Sequence, residues 1–140
     1  MSFSAAQFAF SNGGALQVTS SSVAVVSTPI TGLGGMTGLT ARLDFRYGSS
    51  GTKIQAYLQS GFDESTYYDI ACMSALLASK SALLNFSGLT PKLTEVTPTD
   101  GALADDTAID GLLGDRLRLK VVITGTYAGS SLLSGYIAPR

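Results

Sequence analysis

The sequence predicts an all-β protein, an antiparallel β-sandwich of jelly-roll-like form with about eight or nine strands. Apolar and polar residues alternate with period two over long stretches, and amphipathic helical patterns are nearly absent. Glycine- and serine-rich connections separate the stretches at roughly ten-residue intervals. No internal repeat is visible, which argues against a propeller or solenoid.

Residues 1–13 contain Phe3, Phe8 and Phe10 ahead of the first convincing strand, and no charge. They read as an N-terminal arm packed on a neighbouring subunit, because free termini fray unless tied down. The remainder, 14–140, reads as a single sandwich domain. ALQVT and SVAVVS are two strands parted by serines, and the glycines of TGLGGMTG, residues 31–38, give a long flexible connection. In GLTARLDFRY, Leu39, Ala41, Leu43, Phe45 and Tyr47 oppose Thr40, Arg42, Asp44 and Arg46, the pattern of a half-buried strand. GSSGT then turns the chain into TKIQAYLQS, so the two strands are expected to pair as a hairpin.

GFDES makes a further turn into TYYDIACMS, with Tyr68, Ile70 and Cys72 expected inward and Asp69 outward. A strand is expected from about Lys80 through LLNFS, and KLTEVT, bounded by Pro91 and Pro98, suggests another short one at an edge. DRLRLKVVITG is the most regular strand, with Leu117, Leu119, Val121 and Ile123 inward and Arg116, Arg118 and Lys120 outward. TYAGSS leads into a last strand, LLSGYIA.

Composition narrows the function classes. Charged residues make up 14% of the chain, well below the roughly 25% usual for a globular domain. Met1 to Ala41 carries no ionisable side chain, so that third is either a pair of neutral strands or part of a subunit interface, whose cores are depleted in charge. With no histidine and Cys72 as the single cysteine, intrachain disulfides, Cys/His zinc sites and Ser–His or Cys–His nucleophile pairs are excluded. A net charge of −1 gives no basic stripe for nucleic acid. No apolar run reaches the length of a membrane span, and the N-terminus lacks the features of a secretory signal. No cofactor, nucleic acid or membrane is expected.

Asp100, Asp105, Asp106, Asp110 and Asp115 fall within sixteen residues. Their spacing departs from that of a calcium loop, and Asp100-Gly101 and Asp110-Gly111 read as turn pairs. Asp105 or Asp106 is expected to cap a helical turn through Ile109. A cation loop of Asp100, Asp105, Asp106 and Asp110, and carboxylate catalysis, are the alternatives. Tyr57 and Tyr67 are candidates for a sugar-binding face. Arg42, Arg46, Arg116, Arg118 and Lys120 form the one basic cluster, read either as a solvated sheet face or as a docking surface for an acidic neighbour, plausibly the Asp-rich loop of another copy.

TKIQAYLQSGFDESTYYDIA, LNFSGLT and TDGALADDTAIDGLLGDRLRLKVVITGTYAGSSLLSGYIA together resemble small proteins encoded among the head and tail genes of tailed bacteriophages and prophages. The resemblance covers roughly Gly38 to Arg140 and is most specific over 99–129; GFDESTYYDI departs from it in lacking a Gly-Gly pair and a tryptophan. It implies a non-enzymatic virion protein, made in the host cytoplasm and built into the particle. A capsid decoration or cement protein fits best, partnered by the major capsid protein or other virion proteins and homo-oligomeric, with a trimer favoured. A tail or head–tail junction component, and a carbohydrate- or receptor-binding module, are the alternatives.

Overall fold

The computed structural model describes residues 3–11 and 13–140, with only the backbone described at Ser22 and Val23. Its twelve strand segments are β1 (Ala6–Gln7), β2 (Leu16–Gln17), β3 (Ser22–Val26), β4 (Gly38–Arg46), β5 (Ser49–Ser50), β6 (Lys53–Gly61), β7 (Tyr67–Ala75), β8 (Lys80–Ser87), β9 (Thr107–Ala108), β10 (Arg116–Thr124), β11 (Tyr127–Ala128) and β12 (Leu132–Pro139). One sheet runs β1-β12-β4-β8, with β2 also on β12; the other runs β3-β10-β6-β7-β9; β5 and β11 form a small ribbon. All pairings are antiparallel. The fold is the expected all-β sandwich.

Alternation builds the core as the sequence implies. Leu39, Ala41, Leu43 and Phe45 from β4 and Leu133 and Ile137 from β12 are buried, as are Ile54, Ala56 and Leu58 from β6 and Leu117, Leu119, Val121 and Ile123 from β10. Each large apolar side chain removed from water stabilises by roughly 1.5–3 kcal/mol.

Three expectations about strand pairing and the N-terminal segment fail. β4 and β6 do not form a hairpin: β4 pairs with β12 and β8, whereas β6 pairs with β10 and β7. The GSSGT segment instead carries the chain across from one sheet to the other, and Tyr127 packs over the corner so closely that a Cβ on Gly51 would lie 2.5 Å from its ring. Alternation shows that each strand has one apolar face, but not whether two such faces lie side by side or meet across a core. The true hairpin is β6–β7, closed by the GFDES turn, where Asp63 accepts hydrogen bonds from the Ser65 and Thr66 amides. KLTEVT forms no strand.

The third failure is the N-terminal arm. Over its described residues the stretch belongs to its own sandwich: β1 pairs with β12, Phe8 is fully buried and Phe10 is 4% exposed, and Phe3 packs against the same core. Met1, Ser2 and Asn12 lie outside the described residues. The reason is a vacancy in β12. Gly135 faces the core, and a Cβ there would come within 2.5 Å of Leu119, 3.0 Å of Phe8 and 3.2 Å of Leu43. The space a side chain would fill is taken by the Phe8 ring, held by the Phe8 amide donating to Gly135 O at 2.8 Å. With Val18, Leu33 and Met36 also buried, the charge-free third closes one side of the sandwich.

Replacing Phe8 with alanine should therefore cost about 3–5 kcal/mol of stability, seen as an earlier urea midpoint, while Leu93→Ala, at a side chain 94% exposed, leaves it in place. An unchanged midpoint for Phe8→Ala would restore the reading of an arm packed on a neighbouring subunit.

Candidate functional site

The outer face of the β3-β10-β6-β7-β9 sheet starts as a polar surface and ends as a covered one. Cross-strand pairs Gln59–Asp69, Tyr57–Cys72 and Gln55–Ser74 stand on it. A bulge opposite Leu58 and Gln59 shifts the register, so Ile70, Ala71, Met73 and Ala75 join the core and Cys72 does not. Cys72 was expected on the face of Ile70; the extra residue of the bulge reverses it. Gln59, Asp69, Tyr57 and Cys72 are nonetheless at most 3% exposed, because the Asp-rich segment lies over them as a strap.

Asp69 anchors this strap. Its Oδ2 accepts from the amides of Gly101 (2.9 Å), Ala102 (2.9 Å) and Leu103 (3.1 Å) and from the Thr99 hydroxyl (2.8 Å), and its Oδ1 accepts from Gln59 Nε2 (2.8 Å) and the Gly101 amide (2.9 Å). The Asp69 amide in turn donates to Thr99 O at 2.8 Å. Gln59 also donates to Asp100 Oδ1 at 2.7 Å and accepts from Arg118 Nε at 2.8 Å. Past this crossing, β9 pairs with the free edge of β7, and the Ile109 amide donates to Ile70 O at 2.9 Å.

The aspartates are thus distributed along the strap, each with its own partners. Asp100 receives Gln59 and Lys120 (2.9 Å), Asp105 receives Lys53 and Gln55 (2.7 Å), and Asp106 receives Lys80 (2.7 Å) and the Ser74 amide (2.9 Å). Asp110 receives the Ser87 amide (2.6 Å) and the Thr90 hydroxyl (2.9 Å), and Asp115 pairs with Arg116 at 2.9 Å. The expected turn pairs are present, with φ at 84° for both Gly101 and Gly111, but no helical turn follows Asp106, which itself has φ of 58° and leads into β9. The cation-loop alternative finds no support in this geometry: among the described residues no group of three or more acids or cysteines is placed to hold a metal.

The basic cluster separates in the same way. Arg42 and Arg46 lie on β4, in the opposite sheet from Arg116, Arg118 and Lys120 on β10. The acidic partner of the β10 row is the chain's own strap, with Lys120 and Arg118 on Asp100 at 2.9 and 3.8 Å. Arg118 also covers the Tyr67 ring at 4.0 Å. Arg42 pairs with Asp44 at 2.8 Å and stands 5.8 Å over Tyr136. Tyr57 and Tyr67 are 3% and 5% exposed, which removes them as a sugar-stacking face.

Burial pushes the Cys72 thiol up to about 12, with the Asp105 charge adding to it. The thiol is therefore protonated at neutral pH and a poor nucleophile. Burial, then the neighbouring Cys72, likewise pushes the Tyr57 hydroxyl up to about 12.

The open feature is a cleft of about 340 Å³ between the β6–β7 turn and the strap, walled by Phe62, Tyr68, Val96, Pro98, Leu112 and Leu113. Tyr68 fixes one wall by donating to Leu112 O at 2.5 Å, and its ring lies 5.8 Å from that of Phe62. Sequence reasoning missed this cleft, because its walls come from a turn and from a strap without regular periodicity. The visible trace was the isolated Phe62 inside a turn of polar residues. A second, more polar hollow on the outer face of β4 and β12 is bordered by Arg42, Asp44, Arg46, Lys80 and Tyr136.

No family model and no curated protein matches the chain. Among solved structures, the chain is similar to one described as "CBM4 structure and function", at 12% identity and a TM-score of 0.39, with 97% of this chain and 94% of that chain covered. So loose a likeness carries no ligand across.

The strap makes stability acid-sensitive. The Gln59 and Lys120 hydrogen bonds hold Asp100 below the ordinary carboxylate value, Lys53 and Gln55 do so for Asp105, Lys80 and the Ser74 amide for Asp106, and the Ser87 amide and Thr90 hydroxyl for Asp110. Lowered folded-state values stabilise fully above the unfolded carboxylate range and lose that contribution as pH falls through them. Urea midpoints should stay flat from neutrality to about pH 5 and fall below about pH 4; a midpoint that rises on acidification would contradict these assignments.

Proposed function

We propose that the chain is a non-enzymatic structural protein of a tailed-bacteriophage particle, a decoration or cement protein that docks on the capsid shell. The observation that carries the reading is the wording of Thr99 to Gly129, where the resemblance to phage head- and tail-region proteins is most specific. In this fold that wording spells the strap from Thr99 onward and β10, the strand whose outward side chains receive it. Its acids are engaged by lysines, arginines, amides and hydroxyls of the same chain. That use of carboxylates favours a brace over acid–base chemistry, which needs a carboxyl group open to substrate.

A cement protein needs a rigid body and a face that meets the shell, with weak contacts multiplied by the symmetry of the particle. The two-layer core suits the first requirement, and the apolar cleft beside exposed Phe62 suits the second, as partly desolvated aromatic anchors do at protein interfaces. The partner in this reading is the major capsid protein, the location is the particle after synthesis in the host cytoplasm, and no cofactor is involved. A tail or head–tail junction role shares the same resemblance and differs in copy number.

Quantifying the protein in purified particles tests the proposal. A decoration protein is present in proportion to the major capsid protein, whereas a junction component is limited to a single ring of copies. Absence from purified particles would reject both roles.

A further inference from the structure

An outer strand of a sheet presents a row of unpaired N–H and C=O groups, which a folded protein has to shorten, shield or fill. Among the described residues, three of the four edges of the two large sheets are managed in this way. The outer side of β12 carries the two-residue strands β1 and β2, and β7 is covered by the two-residue β9 of the strap. β3 pairs with β10 through a bulge, and just beyond it the Thr28 amide donates to Ala9 O at 2.8 Å. The fourth edge is β8, an eight-residue strand paired on one side with β4 and open on the other.

Hydrogen-bond parity identifies the open groups. The Gly88 amide donates to Thr37 O at 2.7 Å, so even-numbered residues of β8 turn their backbone groups toward β4 and odd-numbered ones turn theirs to the free side. Ser87 follows the same parity, its amide leaving the sheet to donate to Asp110 Oδ1 at 2.6 Å. Ser81, Leu83 and Asn85 therefore offer N–H and C=O to the open edge, between Ser87 held by Asp110 at one end and Lys80 held by Asp106 at the other. Their side chains are exposed, Leu83 at 74%, whereas Ala82 and Leu84 are half-buried against the core. No ionisable side chain occurs from Ser81 to Pro91, although charge is an ordinary protection of such edges.

We propose that β8 pairs with β8 of a second copy, the two strands running antiparallel about a two-fold axis at Leu83. A two-fold pairing uses one strand twice, so only a segment that complements itself can support it. This one does. Leu83 of each copy faces Leu83 of the other on the outer face, Ser81 faces Asn85 to either side, and on the inner face half-buried Ala82 meets half-buried Leu84. The free N–H and C=O groups of Ser81, Leu83 and Asn85 bond to those of the other copy, which joins the two β8-edged sheets into one. The inference concerns the isolated protein and stands apart from the virion reading, so the failure of either leaves the test of the other intact.

Sedimentation equilibrium of the full chain over a concentration series, with amide hydrogen exchange at its dilute and concentrated ends, provides the test. Wild type should fit a monomer–dimer equilibrium. The amides of Ser81, Leu83 and Asn85 should gain protection as concentration rises, while those of Ala82 and Leu84, bonded to β4, are protected at both ends. Leu83→Lys and Leu83→Glu, at a position exposed enough to leave the melting curve unchanged, should each weaken self-association by roughly tenfold or more, because like charges then meet on the axis. Mixed in equal amounts, the two variants should associate with each other, since opposite charges then meet there. A wild type that stays monomeric throughout would overturn the proposal. So would a dimer whose Ser81, Leu83 and Asn85 amides exchange as freely as in the monomer, or two variants that fail to associate when mixed.

Discussion

The outer half of the structure depends on one buried carboxylate. Asp69 is 2% exposed, and burying a charge is costly unless its hydrogen-bonding capacity is met. Here the compensation comes from the consecutive amides of Gly101, Ala102 and Leu103, with the Thr99 hydroxyl and the Gln59 amide completing the shell. Consecutive backbone N–H groups curled around an anion form an anion-binding nest. The anion in this case belongs to the protein itself, and its effect is to fix the path of the strap. Without the strap, Asp69 would be an ordinary exposed residue on the wet face of an antiparallel sheet; without Asp69, the amides would face the sheet unpaired.

Other features follow from that constraint. Gln59 is held between Asp69, Asp100 and Arg118 and links the buried carboxylate to the outer ion pairs. Those pairs are partly exposed and individually weak, so their importance lies in acting along one strap already fixed at its crossing. Tyr57 and Cys72 become buried beneath it, which explains their raised proton affinities. The cleft exists for the same reason: one wall belongs to the β6–β7 hairpin and the other to the strap, and Tyr68 joins them through Leu112.

Period-two alternation made the strands legible, and with them the β-sandwich, because a strand with one apolar face must bury it. Partnership between strands was not legible: β4 and β6 read as a hairpin across GSSGT, yet the same alternation serves two strands facing each other from opposite sheets. The bulge that turns Cys72 outward leaves no periodic trace, since both registers alternate. Phe8 was misplaced because its site is made by an absence, the missing side chain of Gly135, more than a hundred residues away. The aspartates of the strap read as turn and cap residues, and the turns at Gly101 and Gly111 are present, but their side-chain partners are scattered over β6, β7, β8 and β10, and the decisive acid, Asp69, read only as an outward residue in the alternation of a strand.

The most direct test of Asp69 as anchor is amide hydrogen exchange in Asp69→Ala beside wild type. The amides of Gly101, Ala102, Leu103 and Ile109 should lose their protection by orders of magnitude, while those of β4 and β12, whose ladders lie in the other sheet, keep theirs. Strap amides that exchange in the variant as slowly as in wild type would contradict the account.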